Sequence, residues 1–272
     1  TCRKISQQAK DRKSLRQNLI SYIDDKVGEI MTVLKNTGLD ENTIVIFTAD
    51  HGEMMGERGM WFKQHFFEWA ARVPFIVCAP ERFAASRISQ NTSLVDLMPT
   101  LVDLAAGRPF DDYVAPCDGT SLVPALNGDA SGLSDIVISE FAADGSTGPS
   151  RMVKKGNWKL MWLEGKDTLL YNLATDPNEL ENLTGRSECA EIETELTNIL
   201  FDGWNPEVLV PEIRASQRRR LAIHNITGGE PTYVNTVRLD DSTRYIRNAG
   251  AAETKAKARL PYVAPTCPDK SR

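Results

Sequence analysis

Four residues stand in settings where chemistry is possible: an acid, an imidazole, a lysine and a cysteine. Asp50-His51-Gly52 follows directly on Ile44-Val45-Ile46-Phe47-Thr48-Ala49. An apolar run rich in β-branched residues reads as a strand buried on both faces, the habit of parallel sheets, which bind ligands at the carboxyl ends of their strands. Asp50 would offer carboxylate oxygens to a hard cation such as Ca2+ or Mg2+, and His51 a nitrogen ligand or a hydrogen-bond donor. The plainer reading makes Asp50 a helix cap and His51 a surface residue. Lys63 stands among Trp61, Phe62 and Phe66, where an ammonium is costly to bury without an anion. A lysine that snorkels its amine into water is the alternative. His65 reads as a packed residue, Glu53 and Glu57 as solvated loop acids or as partners behind the metal ligands, and His224 has no visible partner in the sequence around it.

The cysteine belongs to Cys78-Ala79-Pro80-Glu81-Arg82, which formally fits Cys-x-Pro-x-Arg. It closes a second apolar strand, Val73-Pro74-Phe75-Ile76-Val77, so Cys78 reads as a small hydrophobe in a strand.

The elements that would position these residues are legible in outline. Apolar residues from Leu15 to Leu34 recur near a helical period over residues 14–37, with Gly38 as the stop, and the strand 43–48 follows. A glycine-rich loop from Gly52 to Gly59 leads to the aromatic segment and the strand 73–77; Leu94 to Ala105 reads as a helix opened by Ser93 or Asp96 and closed by Gly107. That order predicts an α/β sandwich with a mainly parallel sheet. Beyond Gly128, short runs at 135–141, 150–154, 158–163 and 168–172, separated by Gly145, Gly156 and Gly165, predict an antiparallel meander. Asp176-Pro177-Asn178-Glu179 should start a short helix, and residues 189–201 an amphipathic one. From Gly203 onward prolines and glycines recur with little periodicity outside 213–223, the pattern of a tail that is disordered or docked on something else.

With 272 residues the chain has ample material for a core, and its net charge of −5 argues against a nucleic-acid-binding face. Arg218-Arg219-Arg220 is the only dense basic cluster and reads as a solvated helix face. Five scattered cysteines, at 2, 78, 117, 189 and 267, show no Cys-x-x-Cys spacing and fit reduced thiols in a cytoplasm. No apolar run approaches the ~18 residues that a membrane span needs.

Together, Thr48-Ala49-Asp50-His51-Gly52, the Met54-to-Gly59 loop, Trp61-Phe62-Lys63, Phe66-Phe67-Glu68 and Ala71-Arg72-Val73-Pro74 resemble the sulfatase family of the alkaline phosphatase superfamily, and within it the choline sulfatases. Ser21-Tyr22-Ile23-Asp24-Asp25-Lys26-Val27-Gly28 upstream, and Ser93-to-Leu101, Gly119-to-Leu122, Leu170-to-Leu173 and Asp176-to-Glu179 downstream, follow in the family's order. The resemblance covers most of residues 10–200.

It implies the C-terminal part of an alkaline phosphatase-like α/β sandwich, with a small antiparallel sheet-plus-helix subdomain and an extended C-terminal tail. Residues 1–130 would be core, 131–204 the subdomain, and 205–272 an extension packed against a neighbouring subunit of a homo-oligomer, on the likeness of Ser242-to-Asn248 to the choline sulfatase extension. It further implies a sulfuric ester hydrolase. Asp50 and His51 would hold Ca2+, Lys63 would act in catalysis and bind the sulfate, and Glu140 would face a choline ammonium. The formylglycine nucleophile and an early pair of aspartates would lie outside these residues, in a preceding half. Val234 departs from the family, which has an acid after the aromatic at Tyr233. Two other readings stay open: a phosphonate or phosphate monoester hydrolase of the same superfamily, and a non-catalytic remnant or binding protein.

Overall fold

The computed structural model describes residues 2–110, 113, 115–142 and 148–226. Its first helix is longer than the period of apolar residues suggested. α1 runs Cys2–Thr37 and ends at Gly38, whose φ of 68° only a residue without Cβ adopts freely. Residues 2–13 hold neither Gly nor Pro, so nothing halts the helix before the apolar positions begin. Leu19, Ile20, Tyr22, Ile23, Ile30 and Val33 along it are exposed.

Two compact units make up the chain. One takes in the described residues of Thr1–Val137, Lys154–Asn157 and Asn172–Glu181; the other takes in those of Ile138–Val153, Trp158–Tyr171 and Asn182–Arg272.

In the first unit, β1 (Val45–Thr48) pairs with β4 (Phe75–Cys78) in a two-stranded antiparallel sheet, with Phe47 opposite Ile76 and Thr48 opposite Phe75. Between these two strands the sheet is antiparallel, where the sequence predicts a mainly parallel one. The link between them folds back through a small hairpin and one helical turn, without the long helix that usually carries a parallel crossover. Nor is β1 buried on both faces: Phe47 and Ile76, a cross-strand pair on one face, are 37% and 57% exposed. The hairpin is β2 (Met54–Met55) with β3 (Trp61–Phe62), registered Met54 to Phe62 and Met55 to Trp61. Its turn contains Gly56 at φ 98° and Arg58 at φ 55°, with the Arg58 guanidinium 4.3 Å from the Phe67 ring centroid. Met54, Met55 and Phe67 are buried beneath it.

α2 (Glu68–Ala71) is a single turn leading into β4, and α3 (Leu97–Ala106) is entered through a 3-10 turn at Leu94–Asp96. Ser93 and Asp96, alternative caps in the sequence, act together as a capping box, the Ser93 N–H donating to Asp96 Oδ2 at 2.8 Å, and Gly107 at φ 67° closes the helix. Asp96 Oδ1 also accepts from the Thr120 N–H at 2.9 Å, tying down the approach to α4 (Val123–Leu126).

The second unit is built on a sheet ordered β5 (Ile136–Phe141), β6 (Ser150–Lys155), β7 (Trp158–Leu163), β8 (Leu169–Asn172), the order of the expected meander. The tight link at Gly156-Asn157 forces β6 and β7 to run antiparallel. α5 (Ala190–Phe201) packs on β7 and buries Leu196 and Leu200. Trp162 meets Phe201 and Trp204 edge-on, standing 5.4 Å from each ring. Residues 206–226, placed in the sequence's featureless tail, form α6 (Pro206–Ile226), with Pro206 in the first position where proline is tolerated. Arg218, Arg219 and Arg220 are exposed on it, as expected. Tyr233, Val234 and the Ser242-to-Asn248 segment lie outside the described residues.

Candidate active site

β1 ends at Thr48, and the next residues bring three polar side chains to one point. Asp50 Oδ1 accepts the His51 N–H at 3.0 Å, while Asp50 Oδ2 lies 3.2 Å from His51 Nε2. His51 Nδ1 is 2.7 Å from the Gly52 carbonyl. A carbonyl only accepts, so Nδ1 carries a proton. Lys63 Nζ stands 2.5 Å from that Nε2. An ammonium has only protons to give, so Nε2 accepts from Lys63, with Asp50 Oδ2 beside it at 3.2 Å; a nitrogen lone pair and a carboxylate oxygen so placed can also serve a metal ion. Fixing the distal ring nitrogen on a backbone carbonyl is how metal-binding histidines are held in one tautomer.

Gly52 explains why the strand can end here. Its N–H donates to the Ala70 carbonyl and the Glu53 N–H to the Trp69 carbonyl, both at 2.8 Å. A Cβ on Gly52 would run into the Trp69 carbonyl oxygen. α2 is therefore bonded edge-on to the Asp50-His51-Gly52 corner, and only glycine allows that approach.

Lys63 is placed by β3. Trp61 is half-buried against the hairpin; Phe62 turns outward at φ 75°, an uncommon conformation for a bulky residue, and Lys63 follows it into the open. The aromatic enclosure expected around Lys63 is absent, because alternation along β3 sends Phe62 to solvent and the chain leaves the strand at the lysine. Lys63 is exposed, and its partner is His51 rather than an apolar wall. His65 is half-buried, its N–H donating to the Lys63 carbonyl at 2.8 Å and its ring 6.4 Å from that of Phe67. Burial pulls its pKa below the usual imidazole value. Glu57, read from sequence as a loop acid, accepts the Met55 N–H at 2.5 Å and pins the hairpin.

The described geometry joins Asp50, His51 and Lys63. Glu140 is exposed on β5, in the second unit. Cys78 is half-buried at the end of β4, opposite Val45. Asp176-to-Glu179 forms turns rather than the expected short helix, with Glu179 at φ 56° and 1% exposed. Asp176 Oδ2 takes the Glu181 N–H at 2.9 Å, and that side-chain bond competes with a helical turn.

Asp50 and His51 fit a divalent cation in donor type and spacing. They are only part of a shell, since calcium takes roughly six to eight ligands. Among the described residues no group of three or more His, Cys, Asp or Glu is arranged to hold a metal.

Comparison with known proteins gives this corner its context. The sulfatase family model matches residues 3–107, and the model described as N-sulphoglucosamine sulphohydrolase, C-terminal, matches residues 56–203. The chain belongs to the sulfatase family. It is similar to the choline-sulfatase of Rhizobium meliloti (strain 1021), at 35% identity over 234 residues, which cover 84% of this chain and 45% of that protein. Among solved structures it is similar to a 2-O GAG sulfatase, with TM-score 0.59 and 31% identity over 66% of this chain and 40% of that one. It also resembles the phosphonate monoester hydrolase of Agrobacterium radiobacter, with TM-score 0.58 and 30% identity over 66% of this chain and 38% of that one. The fold is the α/β fold of these alkaline phosphatase-like enzymes. The chain spans less than half the length of each.

Proposed function

We propose that these residues form the cation-binding and leaving-group-binding part of a metal-dependent sulfuric ester hydrolase whose substrate is a small sulfate monoester, choline sulfate by preference. The observation that supports it most is the convergence of Asp50 Oδ2, His51 Nε2 and Lys63 Nζ at the end of β1. Sulfate ester cleavage moves negative charge onto sulfate oxygens and the departing alkoxide, so a site needs fixed positive charge at both. Asp50 and His51 would hold Ca2+, which supplies Lewis acidity toward the sulfate oxygens. Lys63 carries a mobile ammonium on an exposed stem, able to leave His51 and meet the sulfate and leaving oxygen. The Gly52 carbonyl keeps the His51 ring in the tautomer whose Nε2 is unprotonated. The nucleophile, formylglycine by family likeness, would come from a segment outside these 272 residues.

Glu140 is the acid we assign to the choline ammonium, a cation that carboxylates and aromatic faces recognise. Homo-oligomer formation through the extension beyond residue 205, and a cytoplasmic location, complete the proposal. Free Cys78, Cys117 and Cys189 are in keeping with a reducing compartment. No helix among the described residues is long and apolar enough to cross a membrane.

Similarity to a phosphonate monoester hydrolase favours a second reading, in which the same corner serves a phosphorus ester. Specificity constants of the intact protein for choline sulfate, an aryl sulfate and an aryl phosphonate, with and without a calcium chelator, separate the two. Chelator-sensitive turnover highest on choline sulfate supports the first; preference for the phosphonate establishes the second.

A further inference from the structure

α2 is held at both ends by residues far away in sequence. Its C-terminal carbonyls, on Trp69 and Ala70, take the N–H groups of Glu53 and Gly52. Its first residue, Glu68, donates its N–H to Glu179 Oε2 at 2.8 Å, across 111 residues of sequence. Glu179 has a buried side chain and a left-handed backbone, held by its own N–H to the Asp176 carbonyl at 3.1 Å. A non-glycine residue in that conformation stores strain that the surroundings must over-determine. A carboxylate on a backbone N–H is a strong, charge-assisted bond, and burial strengthens it. The Glu68 carboxylate lies 3.5 Å from Lys154 Nζ.

We infer that Glu179 is a positioning residue for the candidate site. Its carboxylate clamps the start of α2, and α2 in turn fixes Asp50, His51 and Gly52 at one end and the Lys63-to-Phe67 segment at the other. Loss of the clamp lets α2 slide, and the Asp50-to-Lys63 geometry loosens without any contact having been removed from those side chains. The effect on catalysis rests on the function proposed above; the clamp itself does not.

Three variants of the intact protein test it, followed by hydrogen exchange and by steady-state kinetics on a sulfate ester. Glu179→Ala deletes the acceptor, and Glu179→Gln keeps an oxygen there. Glu68→Pro deletes the donor while suiting the first helical position, Phe67 already being extended at ψ 149°; Glu68→Ala is its control, since it keeps the N–H and loses only the ion pair. Glu179→Ala and Glu68→Pro should speed exchange of the Gly52 and Glu53 amides by about tenfold or more while β7 and α5 stay protected. kcat should fall by about tenfold to a hundredfold with KM little changed. Glu179→Gln should recover most of both. Unchanged exchange at Gly52 and Glu53, or equal acceleration throughout the protein, would overturn the inference. Local acceleration in a protein that cleaves no sulfate ester would uphold the clamp and overturn the functional reading alone.

Discussion

Lys63 Nζ sits 2.5 Å from His51 Nε2, on the lone pair that a metal ion would use. Lys63 has only protons to give, and His51 Nδ1 gives its own to the Gly52 carbonyl at 2.7 Å, so Nε2 is the acceptor of the pair. In the proposed metal site the ammonium and a divalent cation would compete for one nitrogen. On the function proposed here, a bound cation would free Lys63 for the sulfate and leaving oxygen.

Lys63→Ala should consequently lower kcat on a sulfate ester by on the order of a hundredfold, the usual cost of one transition-state charge donor. Calcium affinity should hold or rise, because the competitor for His51 is gone. Titration calorimetry and steady-state kinetics on the intact protein check the two halves, and near-normal kcat would place the lysine outside the chemistry.

Gly52→Ala should be costly for a residue with so small an added side chain. The new Cβ meets the Trp69 carbonyl, a backbone atom that can move only if α2 moves. We expect a loss of about 1–3 kcal/mol by denaturant titration, in the range of overpacking substitutions, together with weaker calcium binding. A variant with parental stability and affinity would show that the corner has room.

The Asp50-His51-Gly52 corner and Lys63 were readable because each breaks a local pattern: polar residues ending an apolar run, and a charge among aromatics. Helix ends at Gly38 and Gly107, the Ser93–Asp96 capping box and the four-stranded meander were readable from short-range rules. Pairing of β1 with β4 was not, since their apolar runs look alike for either direction. Glu179 was missed because its partner is the Glu68 amide far up the chain, and its turn residues resemble a helix start. α6 was obscured by Pro211, which breaks the sequence pattern yet sits within the helix.

His65 should make stability pH-dependent. Its pKa is depressed by burial, so the unfolded chain binds a proton more readily than the folded one. The neutral-ring contribution is full above the ordinary imidazole value of about 6.5 and is lost as pH falls through the lower folded value. Denaturant midpoints measured from pH 7.5 down to about pH 5 should therefore fall, and His65→Gln should flatten the part of that slope that lies near the imidazole range. An identical slope in the variant would mean that His65 titrates as in the unfolded chain.

Glu140→Gln should raise KM for choline sulfate more than KM for an uncharged aryl sulfate, because a charge pair discriminates where a rim contact does not. General damage would depress both substrates together. An unchanged ratio of the two specificity constants would make Glu140 a surface acid with no part in ammonium recognition.

The most direct measurement is calcium binding by the intact protein and by Asp50→Asn, made by titration calorimetry with circular dichroism to confirm the fold. Asparagine keeps an oxygen that can accept the His51 N–H but removes the charge that faces Nε2. The account predicts a native-like spectrum with calcium affinity weakened by at least about tenfold and sulfate ester turnover largely lost. Equal affinity and turnover in variant and parent would contradict it, leaving Asp50 as a cap at a strand end.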